Sequence, residues 1–250
     1  MKNGLLTLSA LLLLMAASVT SCSKTQTSTP SPQNSNLSTL NSQLSTRNST
    51  PSDLTPDQLQ GHVKLCSTKA ATCDANGKTD ENTYWDEIIK IYTPEGKIDE
   101  QSDLLSWRLP NPQISRNEQQ QITQVKWYIS EYQTYVSETY KYNEQGLIST
   151  CLSEGIESVD TIVYTYGDHN QLTHSESVGY GEGSIFRATT DYTILAVDEQ
   201  GNWIRRLLKS TYEIGPDDAD HNLDNLSIDQ MTFPDSWTDY TIEIRAILYY

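Results

Sequence analysis

The sequence predicts an all-β protein: an antiparallel meander of about ten to twelve strands made of repeated β-hairpins, curled into a single sheet, open barrel or shell. Three observations carry this. Five segments share one turn pattern, IYTPEGKI, SRNEQQQI, KYNEQGLI, TYGDHNQL and AVDEQGNW, with turn positions Gly96, Gln120, Gly146, Asn170 and Gly201 spaced by 24, 26, 24 and 31 residues. Between them run period-two stretches rich in Tyr, Thr, Val and Ile, such as Thr161 to Tyr166, the pattern of a pleated strand. After Leu59 no helical periodicity is sustained. Open sheets of this width rarely stay flat, so curling is expected.

Taken in chain order, the first element is a secretory signal over residues 1–21: basic Lys2, an apolar run of 15 residues from Leu5 to Val19, then small residues. The run is short of the roughly 20 residues that span a bilayer. Val19-Thr20-Ser21-Cys22 resembles the lipobox of bacterial lipoproteins, which implies that Cys22 becomes a lipidated N-terminus anchored by several acyl chains. Ser23 and Lys24 follow, without the Asp that retains enteric lipoproteins at the inner membrane. The expectation is therefore a lipid anchor at the outer membrane of a Gram-negative envelope.

Residues 22–58 read as a tether. From Ser23 to Ser52, 15 of 30 positions are Ser or Thr, with Pro30, Pro32 and Pro51 among them, too few apolar groups to offset the entropy of ordering. Leu37, Leu40 and Leu44 sit at helical spacing but too sparsely to hold a helix. The folded part is read as residues 59–250.

Within the repeat, the residue two after the turn position is Ile98, Ile122, Ile148, Leu172 or Trp203, and the residue four before it is Tyr92, Arg116, Tyr142, Tyr166 or Val197. A three-residue loop Glu144-Gln145-Gly146 makes Asn143 face Leu147 and Tyr142 face Ile148, a cross-strand pair on one sheet face. Gly and Asn suit the left-handed turn residue. Gln120 does not, so the second unit is expected to turn differently.

The pattern Tyr-x-Tyr, Asn or Asp, two polar residues, Gly, apolar resembles the YD repeats of the RHS family, and more closely secreted bacterial lipoproteins with a few degenerate repeats of that kind. The opening LQGHVK (59–64), the unit Asp198 to Trp203 with Arg205 and Arg206, and the ending EIRAILYY (243–250) carry the resemblance. The chain has too few units to imply the toxin-enclosing shell of large RHS proteins.

The chain holds 17 Lys plus Arg against 33 Asp plus Glu, a net charge of −16, and loss of Lys2 with residues 1–21 makes it −17. Such a surface repels nucleic acid, which is excluded as a partner. Beyond Cys22 stand Cys66, Cys73 and Cys151, an odd number. Cys66 and Cys73 are read as a possible hairpin-clamping disulfide, leaving Cys151 free and buried.

Candidate chemistry is sparse. In the loop 215–229, Asp218, Asp220, Asn222, Asp224 and Asp229 offer oxygens at regular spacing, a possible calcium site that lacks the central glycine and terminal glutamate of an EF-hand. The histidines, His62, His169, His174 and His221, have no partners at zinc-like spacing. Glu138, Asp160 and Asp198 are carboxylates that nothing in the sequence pairs. No nucleophile elbow or P-loop is present. No cofactor is expected beyond that calcium.

The composition holds 15 Tyr and 5 Trp against 2 Phe, rings suited to stacking on sugars or anchoring a protein. Trp107 and Trp237 lie outside the repeat positions and are the candidate ligand-binding residues. The functional expectation is a lipid-anchored envelope protein with a non-catalytic binding or scaffolding role toward a protein or glycan. The alternatives are a glycan- or peptide-directed hydrolase and a glycan-binding module.

Overall fold

The computed structural model describes residues 52–80, 83–102, 105, 111–181, 184–217 and 233–250. Eleven strands form one antiparallel sheet: β1 Val63–Cys73, β2 Asp86–Ile91, β3 Gln113–Arg116, β4 Ile122–Ile129, β5 Thr134–Tyr142, β6 Ile148–Glu154, β7 Ser158–Tyr166, β8 Leu172–Gly181, β9 Ser184–Val197, β10 Trp203–Asp217 and β11 Asp235–Tyr249. Strands β3 to β11 follow as an uninterrupted meander, and β1 adds beside β11 with β2 outside it, giving the order β2-β1-β11-β10-β9-β8-β7-β6-β5-β4-β3. The sheet is not closed into a barrel.

All five pairs expected from the repeat are present. Tyr92 faces Ile98, Arg116 faces Ile122, Tyr142 faces Ile148, Tyr166 faces Leu172 and Val197 faces Trp203. The third unit shows why the turn forms. The Asn143 N–H donates to Leu147 O at 2.9 Å and the Gly146 N–H to Asn143 O at 3.0 Å. The Asn143 side chain then accepts the N–H groups of Gln145 and Leu147 at 3.1 and 2.9 Å, an Asx turn that satisfies donors the hairpin leaves open. The same scheme recurs at Asp198.

Gln120 corrects one expectation. Its φ is 64° and its turn has the same backbone bonds, Asn117 to Gln121 and Gln120 to Asn117. Asn117 caps the Gln121 N–H at 2.9 Å, so the Asx residue sets the turn and a glutamine accepts the left-handed conformation. The fourth unit is the variant one, with His169 and Asn170 both at positive φ in a 3₁₀ turn.

The repeat tyrosines tie neighbouring units together. Tyr142 Oη donates to Ile122 O at 2.6 Å and Tyr166 Oη to Ile148 O at 2.8 Å, each reaching the carbonyl of the preceding unit. Phenylalanine fills the same space without that bond. Tyr166→Phe is therefore expected to lower stability by about 1 kcal/mol, or about 2–4 °C in Tm for a domain of this size; an unchanged Tm rejects the role given to the hydroxyl.

Curling brings the two ends of the sheet into one core. Val63, Cys66 and Tyr92 from the β2–β1 end cluster with Ile122, Val125, Trp127, Val136, Tyr140 and Cys151 from the β4–β6 end. A second layer of order comes from residues 52–60, whose composition places them largely with the tether but which run as a strap across the repeat turns. The Asp53 N–H donates to Gly96 O at 2.9 Å. Its carboxylate accepts the Ile98 N–H at 2.8 Å and both terminal nitrogens of Arg116 at 2.9 Å. Gln58 accepts the Leu172 N–H at 3.1 Å, and the Gln60 N–H donates to Asn202 Oδ1 at 2.6 Å. Asp53 and Leu59 are buried. The folded unit thus begins by Asp53 rather than at Leu59.

The Cys66–Cys73 disulfide is also corrected. Both residues lie on β1, and neither is joined in a disulfide. Seven residues of strand separate them by about 23 Å, far beyond the roughly 7 Å a disulfide tolerates.

Candidate functional site

The inner face of β10 and β11 is assembled from the fifth turn outward. Asp198 Oδ1 accepts the N–H groups of Gln200 and Asn202 at 2.9 and 2.8 Å. Asn202, fully buried, returns a bond to the strap through Gln60 O at 3.1 Å and donates to Tyr249 Oη at 2.6 Å. Tyr249 in turn donates to Asp198 Oδ2. Burial opposes charge on Asp198, yet the bonds from Tyr249 and Asn202 hold its carboxyl below the usual range. This carboxylate is occupied in shaping the turn.

Trp203 follows directly, and its buried indole is faced by two guanidinium groups, Arg206 at 4.0 Å and Arg245 at 3.6 Å from the ring centroid. Arg206 also lies over Tyr192 at 4.8 Å and donates from Nε to Glu243 Oε2 at 2.5 Å. Cation–aromatic contacts of this kind strengthen as water is excluded.

Trp237 stands on the same face of β11 as Arg245, eight residues away, or about 26 Å along the strand. Its ring stacks on Tyr212 with centroids 5.2 Å apart and planes 18° from parallel, while Nε1 donates to Asp239 Oδ2 at 3.0 Å. The pairing of β11 with β1 ends at Tyr240, so this part of the ribbon is flanked on one side only, and Trp237 is 43% exposed. The stacked pair forms a flat platform at the end of the sheet opposite the strap. Sequence reading selected Trp237 and missed Tyr212, whose position opposite Trp237 depends on the β10–β11 register.

It also missed a second aromatic group at that end. Tyr128 and Tyr135 pair across β4 and β5 with centroids 5.1 Å apart, and both are about half exposed, as is Tyr132 in the turn between them. The run WYISEYQTYV contained the signal: Tyr128 and Tyr135 are out of phase with the inward Val125 and Trp127.

Glu138 and Asp160 share the inner face, each opposite Ser153 on β6. Glu138 is buried and accepts the hydroxyl of Tyr140. A cavity of about 20 Å³ lies beneath the strap, lined by Asp53, Pro56, Asp57, Lys90, Tyr140 and Tyr142 among others. It has room for one water, so the strap is packed against the sheet. His174 bonds Asp191 at 2.8 Å on the outer surface. Among the described residues no group of three His, Cys, Asp or Glu is placed to hold a metal. Cys22, Trp107 and the calcium candidates Asp218, Asp220, Asn222, Asp224 and Asp229 lie outside the described residues. No family model and no curated protein matches the chain.

Proposed function

We propose that the chain is a lipid-anchored envelope protein whose curled sheet binds a partner through its aromatic end. One observation carries the reading: the strap ties the chain at Asp53 to the turn end of the sheet, while the Tyr212–Trp237 platform stands at the other. A Ser/Thr-rich tether that enters at the strap holds that platform away from the membrane. A flat, partly exposed ring pair beside the Asp239 carboxylate suits a sugar ring, which offers a C–H face and hydroxyl donors. A glycan is accordingly the first ligand class to test, ahead of a protein. In this reading the anchor is the acylated Cys22 and the site is the outer membrane.

The test uses soluble protein lacking residues 1–22 on a glycan array. Binding is expected, and Trp237→Ala is expected to weaken it about tenfold, the loss of about 1.4 kcal/mol of stacking. Binding unchanged by that substitution rejects the platform. A hydrolase is the second reading, favoured by Glu138 and Asp160 on one face about 10 Å apart at the backbone, two strand spacings. Turnover of an arrayed glycan selects it.

A further inference from the structure

The last strand inverts the usual polarity of a sheet. On β11, Ile244 and Leu248 are 40% and 53% exposed, while Glu243 and Arg245 point inward with Ile247 and Tyr249, which pack on the core. Glu243 is matched by Arg206. Arg245 is not matched. Its Nε and Nη1 are sealed from solvent and meet no hydrogen-bond acceptor among the described residues, and the same holds for Trp203 Nε1 beside it.

The surroundings do not neutralise this charge. Arg206 adds a second cation on the same indole. Asp57, the carboxylate whose field reaches Arg245, is engaged with Lys90 at 2.6 Å and with the Tyr92 hydroxyl at 2.5 Å. Cys66 and Tyr92 are held neutral, because burial pushes both groups up. A chain with a net charge of −16 thus turns a cation inward without a carboxylate of its own. A buried, unpaired charge is costly, and guanidinium and indole offer only donors. The complementary group is all acceptor and negatively charged. Arg245 as a whole keeps part of its surface exposed, so an ion reaches the sealed donors only as the neighbouring side chains give way.

We propose that the interior of the curled sheet holds a small oxyanion, a carboxylate or phosphate, bound by Arg245 Nε and Nη1 and the Trp203 indole N–H. The site is separate from the Tyr212–Trp237 platform and does not depend on that reading.

The test is thermal unfolding of the full chain in detergent, in chloride, acetate and phosphate at equal ionic strength. Acetate or phosphate is expected to raise Tm over chloride by about 3 °C at ten times its dissociation constant. Arg245→Leu is expected to abolish that increment while raising or preserving Tm in chloride, since an unpaired buried charge is removed. Equal Tm values in the three salts for the unaltered chain, as water alone on these donors gives, overturn the proposal. So does an increment that persists in Arg245→Leu, which marks general salt stabilisation. If that variant fails to fold, Trp203→Phe keeps the ring and deletes one donor; a full-sized increment there also overturns it.

Discussion

Asp53→Ala is expected to destabilise the protein by about 3–5 kcal/mol, the range for removing one partner of a buried ion pair. Asp53 is 5% exposed, and the Arg116 side chain that it holds is 16% exposed, so solvent screens little of the interaction. The alanine leaves the Ile98 N–H without its acceptor and frees two guanidinium bonds. Glu100 still holds Arg116 through Oε1, which keeps the loss from being larger. Because Asp53 fastens the strap to the first two units, the rest of the strap should loosen with it. Urea denaturation measures the cost. Limited proteolysis should cut near Leu54 in the variant and not in the unaltered chain. A loss below about 1 kcal/mol, the size of an exposed pair, shows that the strap is a surface ornament.

The repeat was legible because its information is local. A turn residue, an Asx cap and a cross-strand pair lie within eight residues, and together they fix register, since a one-residue slip moves every side chain to the other face. That is why all five pairs were readable, from Tyr92 with Ile98 to Val197 with Trp203. A sixth turn of the kind escaped notice. Asp74 accepts from Asn76 and Lys78, with Gly77 at φ 74°, but Lys78 and Thr79 follow it where the other units place an apolar residue.

What stayed hidden is long-range. Asp53 meets Arg116 across 63 residues and Gln60 meets Asn202 across 142, and polar contacts of that span leave no periodic trace. Composition placed residues 52–58 with the tether because Pro51-Ser52-Asp53 continues its character. The inward Arg245 was hidden for a different reason. In TIEIRAIL (241–248) the isoleucines at 242 and 244 advertise the inner face. Ile242 is instead buried on the outer face, beside Gly77 and Leu207, so the apolar alternation points the wrong way.

The same inner face predicts a sharp alkaline limit. Tyr92, Tyr142, Tyr166, Tyr192 and Tyr249 all resist ionisation, chiefly because burial penalises the phenolate, with Tyr249 pushed up to about 12 and the others also raised. Two of them must keep their protons to donate to Ile122 O and Ile148 O. A raised phenol is neutral when folded and ionises near pH 10 when unfolded. Its contribution is therefore complete below pH 10 and is lost as pH rises toward the folded value. At pH 11 a phenol that the fold keeps neutral costs up to about 1.4 kcal/mol, and several together take up a large part of the stability of an ordinary domain. The protein is expected to unfold cooperatively near pH 11, with a step in phenolate absorbance coincident with loss of near-ultraviolet circular dichroism. Tyr166→Phe, less stable at pH 7, should lose stability less steeply with pH, because one ionising group is gone. Complete phenolate absorbance with the near-ultraviolet spectrum retained places these hydroxyls in contact with water and removes the tyrosine ladder as a buried element.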